Sequence, residues 1–133
     1  MESLVKNNEL ENFYKDKTVL LTGATGFKGS WMALWLYEMG ANVIDYSLAP
    51  LTDEDHFNLL KLENKITHIQ GDILDLNKLT DVFNKYNPEI VFHLAAQALV
   101  RFSYDNPKLT FDTNVAGSVN VLEAIRASNS VKS

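Results

Sequence analysis

The sequence predicts an α/β fold, a doubly wound parallel sheet with helices on both faces, and three observations carry that expectation. Four short runs, residues 18–22, 42–47, 66–70 and 90–95, are apolar at most positions instead of alternating, as in strands covered on both sides. Helix-patterned segments separate them, which is the spacing of parallel strands joined by crossovers. A glycine-rich turn, Gly23-Ala24-Thr25-Gly26-Phe27-Lys28-Gly29, joins the first run to the first helical segment.

In chain order, residues 1–16 form a polar extension expected to be helical over 3–14, and residues 17–133 form the α/β unit. The first crossover helix is predicted over 30–39, with Trp31, Leu34 and Trp35 on one side as core and Gly40 ending it. A second helix, 76–86, stops before Asn87-Pro88. The last starts near Pro107, suited to a first helical position, and carries Phe111, Val115, Val119, Leu122 and Ile125 at helical spacing. His93 falls inside the fourth strand and reads as a satisfied core or strand-end histidine. His56 and His68 read as isolated, so no metal site is predicted.

Composition narrows the function classes. With 133 residues, 46% of them hydrophobic, the chain can bury a core of about one domain. Its formal charge of −5 and the absence of a basic run interleaved with aromatics argue against a nucleic-acid partner. There is no cysteine, which excludes disulfides and thiolate ligands. The opening residues lack the basic start and apolar stretch of a signal peptide, and no apolar run approaches the roughly 20 residues of a membrane span, so a cytoplasmic location without membrane contact is expected.

A strand, a glycine turn and a helix in that order make a phosphate cradle. Glycine reaches φ > 0 and lets amides close on an anion, while the helix start adds unpaired donors. The spacing here is Gly23-x-x-Gly26-x-x-Gly29, one residue longer between the first pair than G-x-G-x-x-G, so the match is one of mechanism. A P-loop is excluded because Lys28 stands where its second glycine belongs. In a doubly wound sheet the ligand lies beyond the C-terminal strand ends, which makes Ser47, Gly71-Asp72-Ile73 and Ala95-Ala96-Gln97 the other positions of interest. Asp72 is either a turn carboxylate or an acceptor for an adenine amino group; beside the glycine turn, adenine is preferred.

Four segments, Thr22-Gly23-x-x-Gly26-x-x-Gly29, Gly71-Asp72-Ile73, His93-Leu94-Ala95-Ala96-Gln97 and Asn114-Val115-Ala116-Gly117, resemble the extended short-chain dehydrogenase/reductases, the NAD-dependent epimerase/dehydratase family. Within it, Gly26-Phe27-Lys28-Gly29-Ser30-Trp31 and the stretch from His93 through Arg101 to Ser103-Tyr104 resemble the CDP-glucose 4,6-dehydratases. The resemblance covers nearly all of the chain after Asp16 and implies a Rossmann-type fold. It implies that Gly23, Thr25, Gly26, Phe27, Lys28 and Gly29 border a cofactor diphosphate. Asp72 and Ile73 would border the adenine, and Leu94, Ala95, Ala96, Gln97 and Ala98 the inner part of the dinucleotide, with Asn114 in the same cleft. Gln97 and Arg101 would reach a sugar nucleotide, the alternative for Arg101 being a solvated surface charge.

Counting about 20 residues from the first glycine selects Asp45 for the ribose 2′-OH. Alignment on Gly40 and Val43 instead puts Ser47 where many relatives carry the acid and leaves Asp45 inside the strand. NAD is therefore the family expectation, with NADP open.

The family's chemistry uses Tyr-x-x-x-Lys on a helix after a fifth strand. The formal match Tyr104/Lys108 is rejected because Pro107 breaks the helical register. The chain is read as the N-terminal part of an enzyme, ending after the fourth strand and its helix, with the catalytic helix and substrate subdomain absent and no activity of its own. The parent would oxidise the sugar at C4, eliminate water across C5 and C6, return hydride to C6, and be a homo-oligomer. The rivals are a 4-epimerase or other sugar dehydratase of the superfamily, or a non-catalytic dinucleotide sensor. An unpartnered outer edge on the fourth strand would favour self-association.

Overall fold

The computed structural model describes residues 8–133, so the expected helical residues 3–7 lie outside the described part. The elements are α1 (Asn8–Tyr14), β1 (Thr18–Thr22), α2 (Phe27–Glu38), β2 (Asn42–Ser47), α3 (His56–Leu59) with a 3-10 turn (Leu62–Asn64), β3 (Thr67–Gln70), α4 (Leu76–Tyr86), β4 (Ile90–His93), α5 (Val100–Asp105), α6 (Pro107–Phe111), a π turn (Asp112–Ala116) and α7 (Gly117–Ala127).

The four strands are parallel and ordered β3-β2-β1-β4. The chain moves outward from β1 to β3 and then crosses back to place β4 on the other side of β1. That reversal opens a crevice between the carboxyl ends of β1 and β4, where ligands of open α/β sheets bind.

Side chains alternate across the sheet with the strand period of two. Val19, Leu21 and Val43 face α2, Phe57 and Leu62, while Leu20, Ile44 and Tyr46 face α4 and α7. α4 buries Leu79, Val82 and Phe83 and starts at Asp75, whose carboxylate accepts from Lys78 N–H. It ends at Asn87, which takes the left-handed conformation that stops a helix.

Several expectations change. α2 starts at Phe27 and buries only Gly29, Ser30, Ala33 and Leu36; Trp31 and Trp35 are 52% and 55% exposed, so they are not core. Gly29 and Ala33, small and four residues apart, let the helix approach the sheet closely with Leu36 on the same side, and the bulky indoles fall on the opposite side. With Phe27, Lys28, Met32 and Leu94 they line an open apolar hollow of about 460 Å³. The last helix is interrupted by the π turn, and α7 buries Gly117, Val121 and Ala124, leaving Phe111, Val115, Val119 and Leu122 exposed. β4 ends at His93, two residues early. Its outer edge is partly covered: Lys132 N–H donates to the Glu89 carbonyl and Val91 N–H to the Ser133 carbonyl.

Candidate dinucleotide site

The glycine turn sits between β1 and α2. Gly23 has φ +87°, and a Cβ on it would lie 2.8 Å from Ala95 N, so the turn and the segment after β4 touch. A Cβ on Gly29 would lie 1.9 Å from the Gly23 carbonyl oxygen. The first helical hydrogen bond of α2 runs from Ser30 N–H to Gly26 O, and Gly26 N–H is held by Gly23 O. The amides of Phe27, Lys28 and Gly29 precede that bond and are left for an anion. They fit a dinucleotide diphosphate, with the partial positive charge of a 12-residue helix behind them. Ala24 does not join them: its N–H donates to Asp45 Oδ1 at 3.1 Å.

Thr22 closes β1 onto β4. Its Oγ1 accepts from Leu94 N–H and Ala95 N–H, at 3.1 and 3.2 Å. Its own proton goes to His93 Nδ1, 2.7 Å away. His93 is therefore the Nε2–H tautomer and donates to Ser118 Oγ at 3.0 Å, and Ser118 donates to the Asn114 carbonyl at 2.7 Å. Burial pushes the His93 pKa below its ordinary value, in keeping with a neutral ring. The strand histidine is satisfied, as expected.

Asn114, on the π turn, staples the segment after β4 reciprocally. Its Oδ1 accepts from Gln97 N–H at 2.8 Å and its Nδ2 donates to Gln97 O at 3.1 Å. The Gln97 side chain folds back, Nε2 to Thr110 Oγ1 and Oε1 accepting from Leu99 N–H. Ala96 and Ala98 lie on this stapled segment.

At β3, Gly71 is required by the ring of Tyr46, which a Cβ would meet at 2.4 Å. The Tyr46 hydroxyl donates to the Asp72 carbonyl at 2.8 Å. Burial first, then the carboxylates of Asp75 and Asp72, push its pKa up to about 12. Asp72 is exposed, and its Oδ1 accepts from Leu74 N–H in the turn. Ile73 is buried against Gly117, and its carbonyl accepts from Asn120 Nδ2 at 2.9 Å.

The structure thus gathers the glycine turn, the segment after β4 and Asn114. Arg101 lies exposed on α5, and no hydrogen bond ties it to these residues among those described. Tyr104 and Lys108 fall on different helices, separated at Asn106 (φ −132°, ψ 59°), and Lys108 pairs with Asp112.

Two histidines read as isolated are not. His56 Nδ1 lies 2.7 Å from Ser30 Oγ and its ring packs on Trp31. His68 Nδ1 lies 2.6 Å from Asp45 Oδ2. Asp45 is fully buried under the turn and not at the crevice, and Ser47, 4% exposed, donates to its Oδ2 at 2.7 Å. The signal for the His68 contact is sheet register: Asp45 on β2 is paired with His68 on β3, as Thr22 on β1 is paired with His93 on β4.

Comparison with known proteins agrees with this geometry. The GDP-mannose 4,6 dehydratase family profile matches residues 20–133. The chain is 46% identical over 122 residues to CDP-glucose 4,6-dehydratase of Salmonella typhimurium, covering 92% of this chain and 34% of that protein. The structure of an epimerase from Methanothermobacter thermautotrophicus superposes with a TM-score of 0.79 at 36% identity, over 92% of this chain and 35% of that one. A UDP-glucose 4-epimerase from Brucella ovis, solved in complex with NAD, superposes with a TM-score of 0.74 at 30% identity, over 86% of this chain and 34% of that one. The chain spans about a third of the length of the relatives it matches. By sequence and by fold it belongs to the GDP-mannose 4,6 dehydratase family, within the NAD-dependent epimerase/dehydratase group of the extended short-chain dehydrogenase/reductases.

Proposed function

We propose that this chain is the NAD-binding part of a nucleotide-sugar 4,6-dehydratase acting on CDP-glucose. The observation that carries the reading is the set of α2 amides at Phe27, Lys28 and Gly29, free at the helix start beside the segment after β4. Likeness to CDP-glucose 4,6-dehydratase across 92% of the chain supports the substrate. The cofactor would supply a hydride acceptor and donor. The chain's own residues bind and orient it: the α2 amides take the diphosphate, and Ser47 lies on the ribose side. Asp72 and Ile73 flank the adenine, and Leu94 to Ala98, held by Asn114, form the inner wall. The complete protein is proposed to bind its sugar nucleotide beside Gln97 and Arg101, the Gln97 side chain first leaving Thr110 and Leu99, and to act in the cytoplasm as a homo-oligomer.

The chain itself is proposed to bind cofactor without turnover, since Tyr104 and Lys108 lie on separate helices and Lys108 is engaged by Asp112. An epimerase parent is the second reading, favoured by the epimerases among its structural neighbours. Calorimetric titration with NADH tests the first step, and heat-silent titration with an unmoved melting temperature would remove it. Incubating the complete protein with CDP-glucose separates the parents: loss of water to a 4-keto-6-deoxy sugar marks the dehydratase, and an inverted sugar without water loss marks the epimerase.

A further inference from the structure

The interior carboxylate of Asp45 binds three donors on three different elements. Its Oδ1 accepts from Ala24 N–H in the glycine turn, and its Oδ2 accepts from Ser47 Oγ at the end of β2 and from His68 Nδ1 on β3. A carboxylate without a proton can only accept, so the Ser47 hydroxyl hydrogen and the His68 Nδ1 hydrogen both point inward at Asp45. His68 is held there by its packing on Phe57, with ring centroids 5.0 Å apart. The Ser47 hydroxyl is consequently left with lone pairs and no proton to offer a second partner.

We propose that Asp45 is a positioning residue that sets cofactor selectivity by fixing the polarity of Ser47. The proposal rests on the dinucleotide reading above and on Ser47 standing at the ribose. An acceptor at that place suits a ribose 2′-OH, which donates. It gives a 2′-phosphate nothing, since that group at neutral pH is mostly a dianion that needs donors, and the buried negative charge directly behind Ser47 adds repulsion. Through Ala24 the same carboxylate ties ribose recognition to the seat of the glycine turn, so one buried group serves both the ribose and the diphosphate of the cofactor.

Asp45→Asn tests the polarity. The amide oxygen of the substituted side chain can still accept from Ala24 N–H, while its nitrogen becomes a donor where Oδ2 accepted. His68 can answer by changing tautomer, and Ser47 then accepts from the new amide and turns its own hydrogen outward. Wild-type chain, titrated calorimetrically, should bind NADH at least about tenfold more tightly than NADPH, and Asp45→Asn should move that ratio about tenfold toward NADPH. Ser47→Ala, which leaves the buried network's other bonds in place, should weaken NADH about tenfold and NADPH less. A merely structural role would weaken both cofactors alike. If the Asp45→Asn variant fails to fold, the ratio measured for Ser47→Ala decides. Variants that fold by circular dichroism yet keep the wild-type NADH-to-NADPH ratio within about twofold overturn the proposal. Wild type binding neither nucleotide overturns the dinucleotide reading first, and this inference with it.

Discussion

At the scale of single residues, the turn after β1 is over-determined by sterics. Gly29 has no room for a Cβ, because the Gly23 carbonyl oxygen would be 1.9 Å away, and the obstacle is backbone that cannot swing aside. Gly29→Ala must therefore move the start of α2 and with it the Phe27 and Lys28 amides. Loss of detectable NADH binding and a destabilisation of about 1–3 kcal/mol are expected, measured by calorimetry and urea unfolding. Tyr46 gives a second test at this scale. Its pKa is raised to about 12, from an ordinary value of 10.0. The unfolded chain then loses the phenolic proton first, so this residue's contribution is complete below about pH 10 and declines as pH rises from about 10 to 12. Tyr46→Phe should cost about 1 kcal/mol at neutral pH, through the lost bond to the Asp72 carbonyl, and should flatten the decline above about pH 10 in unfolding curves.

Among the elements, the π turn between α6 and α7 does the positioning. It presents the Asn114 amide to both backbone groups of Gln97, and the 94–98 wall of the crevice hangs on that pair. Asn114→Ala should destabilise the fold by about 1–3 kcal/mol, since both partners lose a part-buried bond. Amide exchange should quicken at Gln97 and Leu99 first, while Asn114→Asp, which keeps the acceptor, should restore Gln97 protection. How much of this was legible in the sequence differs by cause. β1 follows from the apolar run Val19-Leu20-Leu21, β2 from Val43, Ile44 and Tyr46, and the end of α4 from Asn87-Pro88, because local chemistry decides them. The glycine turn was legible for the same reason. The Asp45–His68 and Ser30–His56 pairs span 23 and 26 residues and exist only once register and crossover are set. Trp31 and Trp35 suggest a core because they are large and apolar, whereas the helix approaches the sheet through Gly29, Ser30, Ala33 and Leu36. Asp45 is found by counting from the first glycine, but the direction of its side chain is a property of the pleat.

For the whole molecule, the apolar groups left outside the two cores form two separate faces. Phe27, Trp31 and Trp35 lie on α2, on one side of the sheet, and Phe111, Val115, Val119 and Leu122 lie on α6, the π turn and α7, on the other. Apolar patches of this kind seek a partner surface. A chain with two such faces pointing apart can add copies on both sides, each face meeting its like, and a run of such contacts does not close and grows without a fixed size. The partial cover that Lys132 and Ser133 give β4 leaves the helix faces as the main source of association. Sedimentation velocity of the 133-residue chain across a wide concentration range should therefore show a weight-average mass that climbs continuously, with no dimer plateau. Val119→Lys with Leu122→Gln, both at exposed positions and so nearly neutral for the fold, should convert the series into a discrete smaller species, and adding Trp35→Gln should bring it to the monomer. A wild-type chain that sediments as a monomer at every concentration would show that these faces do not drive association. A climb unchanged by the α7 substitutions would assign association to α2 and the β4 edge instead.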